Sequence, residues 1–197
     1  MATTRHDYHR LTFTVSLPRS RTKWLSELLS QWCITYHEVI PNFRDIEAFG
    51  RWLDLRLSSS IRPIVIADTS TILFLHRIRQ RFPGARFVHI RRRADEVHES
   101  LKKVGVDGGS KQLEMLEKCI SKMDAERMVG EPLFMASELS QPQAVKHLIT
   151  TVITPHIDMN YVWNMVRTNV QCSADEVNRY KTMVIRDSLA EQVEVVS

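Results

Sequence analysis

Residues 11–29 constrain the fold more than any other stretch of the chain. Over residues 11–16 apolar and hydroxyl side chains alternate, and this period of two with strand-forming residues is typical of a β-strand. Pro18 interrupts the alternation, and from Trp24 onward apolar residues recur at helical spacing. The sequence therefore predicts a strand, a compact turn, and an amphipathic helix that begins near residues 20–22.

The turn itself is basic and rich in hydroxyl groups. It contains Arg19, Ser20, Arg21, Thr22 and Lys23. A helix start leaves backbone N–H groups unpaired at the positive end of the helix dipole, which suits a phosphate or a sulfate. Arg19 or Lys23 could contact such an anion directly. The alternative is a basic turn that only meets solvent.

A standard ATP-binding P-loop is a poor match for this turn. That motif has the form G-x-x-x-x-G-K-[ST]. Here Ser16 and Arg21 stand at the two glycine positions, and Thr22 stands where the lysine should be.

Residues 18–25, P-R-S-R-T-K-W-L, resemble the 5′-phosphosulfate loop of sulfotransferases, P-[RK]-S-G-T-[TS]-[WL]-L. In that family the loop grips the 5′-phosphosulfate of 3′-phosphoadenosine 5′-phosphosulfate (PAPS), and its basic residue stabilises charge on the bridging oxygen. The resemblance implies that role for Arg19. It implies cofactor contact for the whole loop: Arg19, Ser20, Arg21, Thr22, Lys23 and Trp24.

The loop departs from the family pattern at two positions. Arg21 replaces a glycine, and Lys23 replaces a hydroxyl residue. A side chain at the glycine position must tolerate a positive φ, which is unfavourable for any residue with a Cβ atom. Together Arg19 and Lys23 would stabilise the charge that develops during transfer.

A second segment, residues 82–100, supports the same resemblance. It predicts a turn, a strand, and a helix from Ala94, and it resembles the family segment F-P-[DGN]-A-K-F-I-x-[LI]-x-R-[DN]-P-x-D-V-x-x-S. Aligned without a gap, the arginine and the serine that hold the 3′-phosphate of the cofactor fall on Arg92 and Ser100. Arg93 and Ala94 replace the acidic residue and the proline of the family pattern.

Three adjacent arginines, Arg91, Arg92 and Arg93, follow the predicted strand at its carboxyl end, where open α/β sheets place their ligand crevice. Alternation aims Arg92 opposite to the other two, so one or two of the three would enter the crevice. The remainder would meet solvent or the neighbouring carboxylates Asp95 and Glu96. The alternative is a solvated run of charge at a helix start.

Transfer to a hydroxyl group also needs a base within hydrogen-bond reach. His37 and Glu38 come after a short predicted strand at residues 33–36, and Asp68 comes directly after the buried strand predicted at residues 63–67. Each is a candidate catalytic base. The alternatives are a surface pair for His37 and Glu38, and a helix N-cap for Asp68.

The first half of the chain alternates strand and helix four times, which predicts a three-layer α/β fold with a parallel sheet. The resemblance covers about residues 11–105 and implies a P-loop-type nucleotide-binding core. Residues 106–197 are predicted to be mainly helical, with a short strand at 133–135 and a last helix at 173–189 that opens on a capping box. We expect one domain, whose helical half binds the acceptor or forms a homodimer.

Composition and charge narrow the class of protein only a little. The chain has 197 residues and a formal charge of +4, which favours anionic partners without demanding nucleic acid. Cys33, Cys119 and Cys172 are widely separated and predict free thiols in a reducing compartment. With no signal peptide and no membrane-spanning run, we expect a cytoplasmic protein.

The preferred function is a sulfotransferase-like enzyme that moves a sulfuryl group from PAPS to a hydroxyl or amine acceptor by in-line displacement, without a metal. The acceptor would be a small molecule or nucleotide-like. One alternative is a divergent P-loop kinase that uses ATP with Mg²⁺ and acts on a nucleotide or nucleic acid. Another is a non-catalytic nucleotide-binding protein. The late R-K-G-x-x-G-x-W segment with which sulfotransferases also contact the cofactor does not occur in this sequence.

Overall fold

The computed structural model describes residues 8–153 and 158–167. The strands are β1 (Leu11–Ser16), β2 (Ile34–His37), β3 (Ile64–Ala67), β4 (Arg86–Arg91) and β5 (Leu133–Met135). The α-helices are α1 (Thr22–Leu29), α2 (Ile46–Ser58), α3 (Leu75–Arg81), α4 (Ala94–Lys102), α5 (Gly109–Glu126), α6 (Pro142–Val152) and α7 (Met159–Arg167). Short 3₁₀ turns lie at Tyr8–Arg10, Ile40–Asn42, Thr69–Ile72 and Glu138–Ser140.

The five strands form one sheet in the order β2-β3-β1-β4-β5, and every neighbouring pair is parallel. β1 lies at the centre, where Phe13 is level with Ile66 of β3 and with Phe87 of β4. Because all strands run the same way, their carboxyl ends meet at one edge of the sheet. The segments that follow β1, β2, β3 and β4 therefore converge.

Helices cover both faces of the sheet, as the sequence predicts. Side chains of α2, α3, α4 and α5 pack on one face with Leu11, Phe13 and Val15, while α1, α6 and α7 pack on the other with Val65 and Val88. Parallel sheets are stable only when both faces are buried. The prediction of a three-layer α/β fold is confirmed.

An aromatic cluster fixes β1 against the helices on one face. The ring of Phe13 is fully buried, and its centroid lies 5.5 Å from those of Phe82 and Phe87 and 6.4 Å from that of Phe49. Full burial of one such side chain contributes about 1.5–3 kcal/mol. The strand that leads into the basic turn is thereby held rigidly.

The helices of the C-terminal half pack on α1. The Nε1 of Trp24 donates to the carbonyl of Met165 at 2.7 Å, and the hydroxyl of Tyr161 donates to the carbonyl of Glu27 at 3.2 Å. The rings of Trp32 and Tyr161 meet edge to face at 5.5 Å. The helix that begins at the basic turn is thus held by α7 as well as by the sheet.

Two predicted helices differ from the structure in their extent, and one predicted strand matches it. The sequence predicts that the first helix runs to about Trp32, whereas α1 ends at Leu29. The sequence also predicts a helix over residues 71–81. In the structure a 3₁₀ turn precedes α3 there, because the Asp68 carboxylate accepts from the backbone N–H of Ser70 and tightens the chain. The predicted strand at 133–135 is present as β5.

Cys172 and the helix predicted at residues 173–189 lie outside the described residues. The sequence also predicts a helix over residues 158–170, whose last three residues lie outside them as well. In the part of the chain that is described, no helix has both the length and the apolar character needed to cross a bilayer.

Candidate active site

The turn between β1 and α1 adopts two left-handed backbone conformations. Arg19 has φ 62° and Arg21 has φ 65°, a region that glycine enters freely and other residues do not. Such a conformation costs roughly 1–2 kcal/mol for a residue with a Cβ atom. Arg21 is the N-cap of α1, so the chain keeps the left-handed turn at the position where the sulfotransferase pattern has glycine.

Contacts of the Arg21 side chain offset this strain. Its Nη1 donates to the carbonyl of Leu139 at 3.0 Å, and its guanidinium lies 5.6 Å from the ring centroid of Trp24. Burial, and then the nearby charge of Arg92, lower the pKa of Arg21. The strained turn is therefore anchored to the C-terminal half of the chain.

Trp24, which the resemblance places in contact with the cofactor, lies in the core. Its ring is 3 % exposed and packs with α6 and α7, and its Nε1 is engaged with Met165. In this structure Trp24 contacts the loop through its ring face, on which the guanidinium group of Arg21 lies.

The residues that the resemblance assigns to the two ends of the cofactor lie close together. Arg19 is assigned to its 5′ end, and Arg92 and Ser100 are assigned to its 3′-phosphate. The Nε of Arg19 donates to the Oγ of Ser100 at 3.1 Å. The Nη1 of Arg92 donates to the carbonyl oxygen of Arg19 at 2.6 Å. The Nε of Arg92 also reaches Glu96 at 3.3 Å. Two guanidinium groups and a hydroxyl therefore meet where β1 and β4 end.

The structure separates Arg92 from its neighbours, as strand alternation predicts. Arg91 pairs with Asp124 of α5 at 2.9 Å, a partner that the sequence did not indicate. Arg93 pairs with Asp95 at 2.5 Å, and its side chain is 70 % exposed. Of the three arginines, Arg92 is the one that contacts the turn.

Buried hydroxyl groups in this region lack partners. The Oγ atoms of Ser16 and Ser20 and the Oγ1 of Thr71 are buried and have no hydrogen-bond partner among the described residues. Buried hydroxyls are nearly always hydrogen-bonded in proteins, so an unpaired one calls for an explanation. Ser20 lies inside the turn, where a bound anion would accept its hydrogen bond.

Thr22 and Lys23 form the first turn of α1. The Oγ1 of Thr22 lies 3.3 Å from the Nε2 of His37, while Lys23 has a partly buried side chain. Contact of Lys23 with an anion stays a prediction.

Two candidate bases lie at the end of β2. His37 is the last residue of the strand, and its Nε2 lies 3.8 Å from the Oε1 of Glu38 in addition to its contact with Thr22. Glu38 has φ 47°, also in the left-handed region. The carboxyl group of Glu38 accepts from the backbone N–H and the Oγ1 of Thr69, at 3.2 and 3.0 Å.

The third candidate, Asp68, is fully buried after β3. One of its oxygens accepts from the backbone N–H of Ile40 at 2.7 Å, and the other accepts from the N–H and the hydroxyl of Ser70. It is the N-cap of the following 3₁₀ turn, so the capping alternative is observed. Burial raises the pKa of Asp68, although its hydrogen bonds favour the ionised form.

The structure thus brings the candidate bases to the same edge of the sheet as the turn. His37 contacts the turn through Thr22, Glu38 lies next to His37, and the Glu38 carboxyl group accepts from Thr69, the residue that follows Asp68. Sequence reasoning missed Thr69, which holds Glu38, and Leu139, whose carbonyl holds Arg21. The role of Thr69 could have been suspected from the sequence, because Thr69 directly follows Asp68 and carries a hydroxyl group. The role of the Leu139 carbonyl could not, because every residue has a backbone carbonyl.

No family model matches this chain, and no curated protein matches it in sequence. Solved structures do match. A sulfotransferase from Alicyclobacillus acidocaldarius is 14 % identical with a TM-score of 0.52, and the match covers 89 % of this chain and 91 % of that one. A gluconokinase from Sinorhizobium meliloti 1021 is 15 % identical with a TM-score of 0.45, covering 81 % and 92 % of the two chains.

The match to the sulfotransferase structure shows a common fold. A chain-wide match at this low identity, together with the parallel order β2-β3-β1-β4-β5, confirms the P-loop-type α/β fold that the sequence predicts. The chemistry has to be argued from the site itself.

Proposed function

We propose that this protein is a transferase of the sulfotransferase kind, which moves a sulfuryl group from PAPS to a hydroxyl or amine acceptor. The observation that carries the proposal is the contact of Arg19 with both Ser100 and Arg92. Two sequence segments that resemble opposite ends of one cofactor site are adjacent in space.

The residues present fit a polyanionic cofactor. Arg19, Arg92 and the N-terminal end of α1 provide positive charge, and the buried, unpaired hydroxyl of Ser20 provides a donor. Arg92 and Ser100 would hold the 3′-phosphate. Arg19, Ser20 and the start of α1 with Lys23 would hold the 5′ end. PAPS, when bound, supplies the sulfuryl group and a phosphate leaving group.

The protein's own part in such a reaction is to position the groups and to accept a proton. Among the three candidate bases we propose His37, because its Nε2 lies at the turn, 3.3 Å from Thr22. Asp68 is buried and accepts three hydrogen bonds, one from Ile40 and two from Ser70. Arg19 and Lys23 would stabilise the negative charge that grows on the leaving oxygen.

A kinase that uses ATP with Mg²⁺ is the alternative enzyme. Two features of the site favour PAPS over it. Thr22 stands at the lysine position of the ATP-binding motif. The carboxylate at the end of β3, Asp68, accepts hydrogen bonds from Ile40 and Ser70 on both of its oxygens, which competes with binding a cation.

Calorimetric titration tests the proposal. Metal-free protein would be titrated with 3′-phosphoadenosine 5′-phosphate, the product of PAPS, and in parallel with ATP plus Mg²⁺. We expect binding of the bisphosphate without metal and much weaker binding of ATP. A preference for ATP with Mg²⁺ would support the kinase, and absence of binding by either would overturn both enzymatic proposals.

A second measurement separates an enzyme from a binding protein. With PAPS as donor and a panel of phenols, alcohols and amines as acceptors, His37→Asn should abolish sulfuryl transfer while the bisphosphate still binds. Tight bisphosphate binding without transfer to any acceptor would favour a non-catalytic nucleotide-binding protein.

A further inference from the structure

The carbonyl oxygen of Arg19 accepts a hydrogen bond from the Nη1 of Arg92 at 2.6 Å. Arg19 has φ 62°, so a residue with a Cβ atom is held in the left-handed region at this point of the turn. A hydrogen bond from a charged donor is comparable in strength to the cost of that conformation. The bond therefore offsets the strain and favours the observed path of the backbone.

The side chain of Arg92 is itself held in place. Its Nε lies 3.3 Å from Glu96 in α4, and the side chain is 27 % exposed, whereas that of Arg93 is 70 % exposed. The register of β1 and β4, in which Ser16 is level with Ile90, brings the segment after β4 beside the turn. The guanidinium group thus contacts α4 on one side and the turn on the other.

The second left-handed residue of the turn, Arg21, is stabilised in a different way. Its own side chain donates to the carbonyl of Leu139. The side chain of Arg19 is instead engaged with another partner, because its Nε donates to the Oγ of Ser100. The main chain of Arg19 therefore takes its support from a donor on another element, and Arg92 provides that donor.

We propose that Arg92 is a positioning residue for the turn between β1 and α1. It holds Arg19 in the left-handed conformation and so shapes the site for the 5′ end of the cofactor, in addition to contacting the 3′-phosphate. A guanidinium group has five N–H donors, and the bonds to Arg19 and Glu96 use two of them, so Arg92 can contact a phosphate while it holds the turn. The role toward the cofactor rests on the proposed function, whereas the role in the shape of the turn does not.

Carbon-13 and nitrogen-15 NMR of the free full chain tests the shape of the turn. The carbonyl carbon of Arg19 and the amide nitrogen of Ser20 belong to one peptide group, so both signals respond to a hydrogen bond at that carbonyl oxygen. We expect Arg92→Ala to shift both signals, and Arg92→Lys, which keeps a charged donor, to shift them less. Arg93→Ala is the matched control and should leave both unchanged. Unchanged signals in Arg92→Ala, or equal shifts in Arg92→Ala and Arg93→Ala, would overturn the proposal.

Adenosine 5′-phosphate, which lacks the 3′-phosphate, tests the action of Arg92 on the 5′ end of the site. A residue that contacted only the 3′-phosphate would have no effect on the affinity for this ligand. We expect the Kd of adenosine 5′-phosphate to rise about 3- to 10-fold in Arg92→Ala, the scale of one hydrogen bond, and to return toward the wild-type value in Arg92→Lys. An unchanged Kd in Arg92→Ala would overturn the action on the 5′ end.

Salt separates the position of Arg92 from its charge. Arg92→Ala also removes a positive charge, whose long-range attraction for an anion weakens as the Debye length falls from about 10 Å at 0.1 M salt to about 3 Å at 1 M. A change in the shape of the turn is not screened in this way. The ratio of the Kd of Arg92→Ala to that of wild type for adenosine 5′-phosphate should therefore persist at the higher salt concentration. A ratio that falls to about one would contradict the positioning role.

If Arg92→Ala does not fold, Arg92→Lys provides both tests, with Arg93→Lys as its control. Lysine keeps the charge but has a shorter side chain without the planar fork of arginine, so Arg92→Lys should still shift the Arg19 carbonyl signal and raise the Kd, and Arg93→Lys should do neither. Equal effects of the two lysine variants would overturn the proposal. If wild type binds neither adenosine 5′-phosphate nor the bisphosphate, the proposed function fails, while the NMR comparison of the free proteins still decides whether Arg92 holds the turn.

Discussion

The Nε of Arg19 donates a hydrogen bond to the Oγ of Ser100 although the two residues are 81 positions apart in the chain. The parallel register of β1 and β4 explains the contact, because it aligns Ser16 with Ile90 and so places the ends of both strands side by side. The turn after one strand and the helix after the other then meet at the same edge of the sheet.

Replacing Arg92 with alanine should weaken binding of 3′-phosphoadenosine 5′-phosphate about 10- to 100-fold, which corresponds to the loss of one charge-assisted hydrogen bond of about 1.5–3 kcal/mol. Arg93→Ala is the matched control, because Arg93 pairs with Asp95 and is largely exposed. It should change the Kd less than about 3-fold, the scale of an exposed ion pair. Calorimetry measures both, and equal effects would show that only overall charge matters.

Ser20→Ala should separate binding from stability. The hydroxyl of Ser20 is buried without a partner among the described residues, so its removal should leave the free protein as stable as before or up to about 1 kcal/mol more stable. The Kd for the bisphosphate should rise about 5- to 10-fold, because the anion loses one donor. Urea denaturation and calorimetry measure the two effects.

Ser30→Ala, at the exposed end of α1, is the control for that experiment, since the Ser30 hydroxyl donates to Glu27 and lies away from the turn. It should leave the Kd unchanged. A loss of stability in Ser20→Ala without any change in Kd would argue that the hydroxyl has a structural role.

Arg21 tests the backbone conformation of the turn. Arg21→Ala and Arg21→Gly both lose the contacts with Leu139 and Trp24, yet only alanine has to keep φ 65° with a Cβ atom. We therefore expect the glycine variant to be more stable than the alanine variant by about 1 kcal/mol in urea denaturation. At Arg51, an exposed position inside α2, the order should be reversed, with glycine less stable by about 1 kcal/mol. The same order at both sites would contradict the left-handed turn.

A buried polar cluster lies between β4 and the segment before β5. The Nε2 of His89, a fully buried residue, lies 2.9 Å from Glu131, and Glu131 is bound by both amino groups of Arg79. Burial lowers the pKa of His89, although the neighbouring Glu131 opposes that shift. At pH 7 the folded protein therefore favours the neutral form of His89.

This lowered pKa predicts a loss of stability in acid. The unfolded chain takes up a proton at His89 near pH 6.5 and the folded chain does so only at lower pH, so stability falls as pH drops from about 6.5 toward the folded pKa, by up to about 1.4 kcal/mol per pH unit. His89→Gln cannot take up this proton and should show a flatter dependence between pH 7.5 and 5.5 in urea denaturation. His76→Gln, at an exposed position of α3, should behave as wild type. Parallel pH curves for His89→Gln and wild type would contradict the assignment.

The order of strands and helices was predictable because each element depends on its own side chains. Alternation at residues 11–16 and the apolar run before Asp68 predict the strands, and the structure has both. Element ends were less predictable. The 3₁₀ turn at Thr69–Ile72 forms because the Asp68 side chain competes with the helix for backbone N–H groups, and a hydrophobic pattern does not reveal that competition.

The candidate site was predictable as two separate groups of residues. Arg19 to Thr22 stand in one motif, and Arg92 and Ser100 stand in another. Their spacing showed which residues to consider, and the resemblance assigned Arg92, yet alternation alone left open whether Arg92 or its two neighbours enter the crevice. The structure distinguishes them, because Arg91 forms an ion pair with Asp124 and Arg93 forms one with Asp95.

The sequence by itself determined the alternation of strands and helices, the basic turn, and the side chains from which a site can be built, because these depend on local periodicity and on residue type. Tertiary structure alone decided that Arg19 meets Ser100, that Arg21 is held in a left-handed turn by Leu139, and that Glu38 accepts hydrogen bonds from Thr69. These contacts join residues far apart in the chain. They form only when the parallel register brings the strand ends together and burial removes the water that would otherwise solvate each charge.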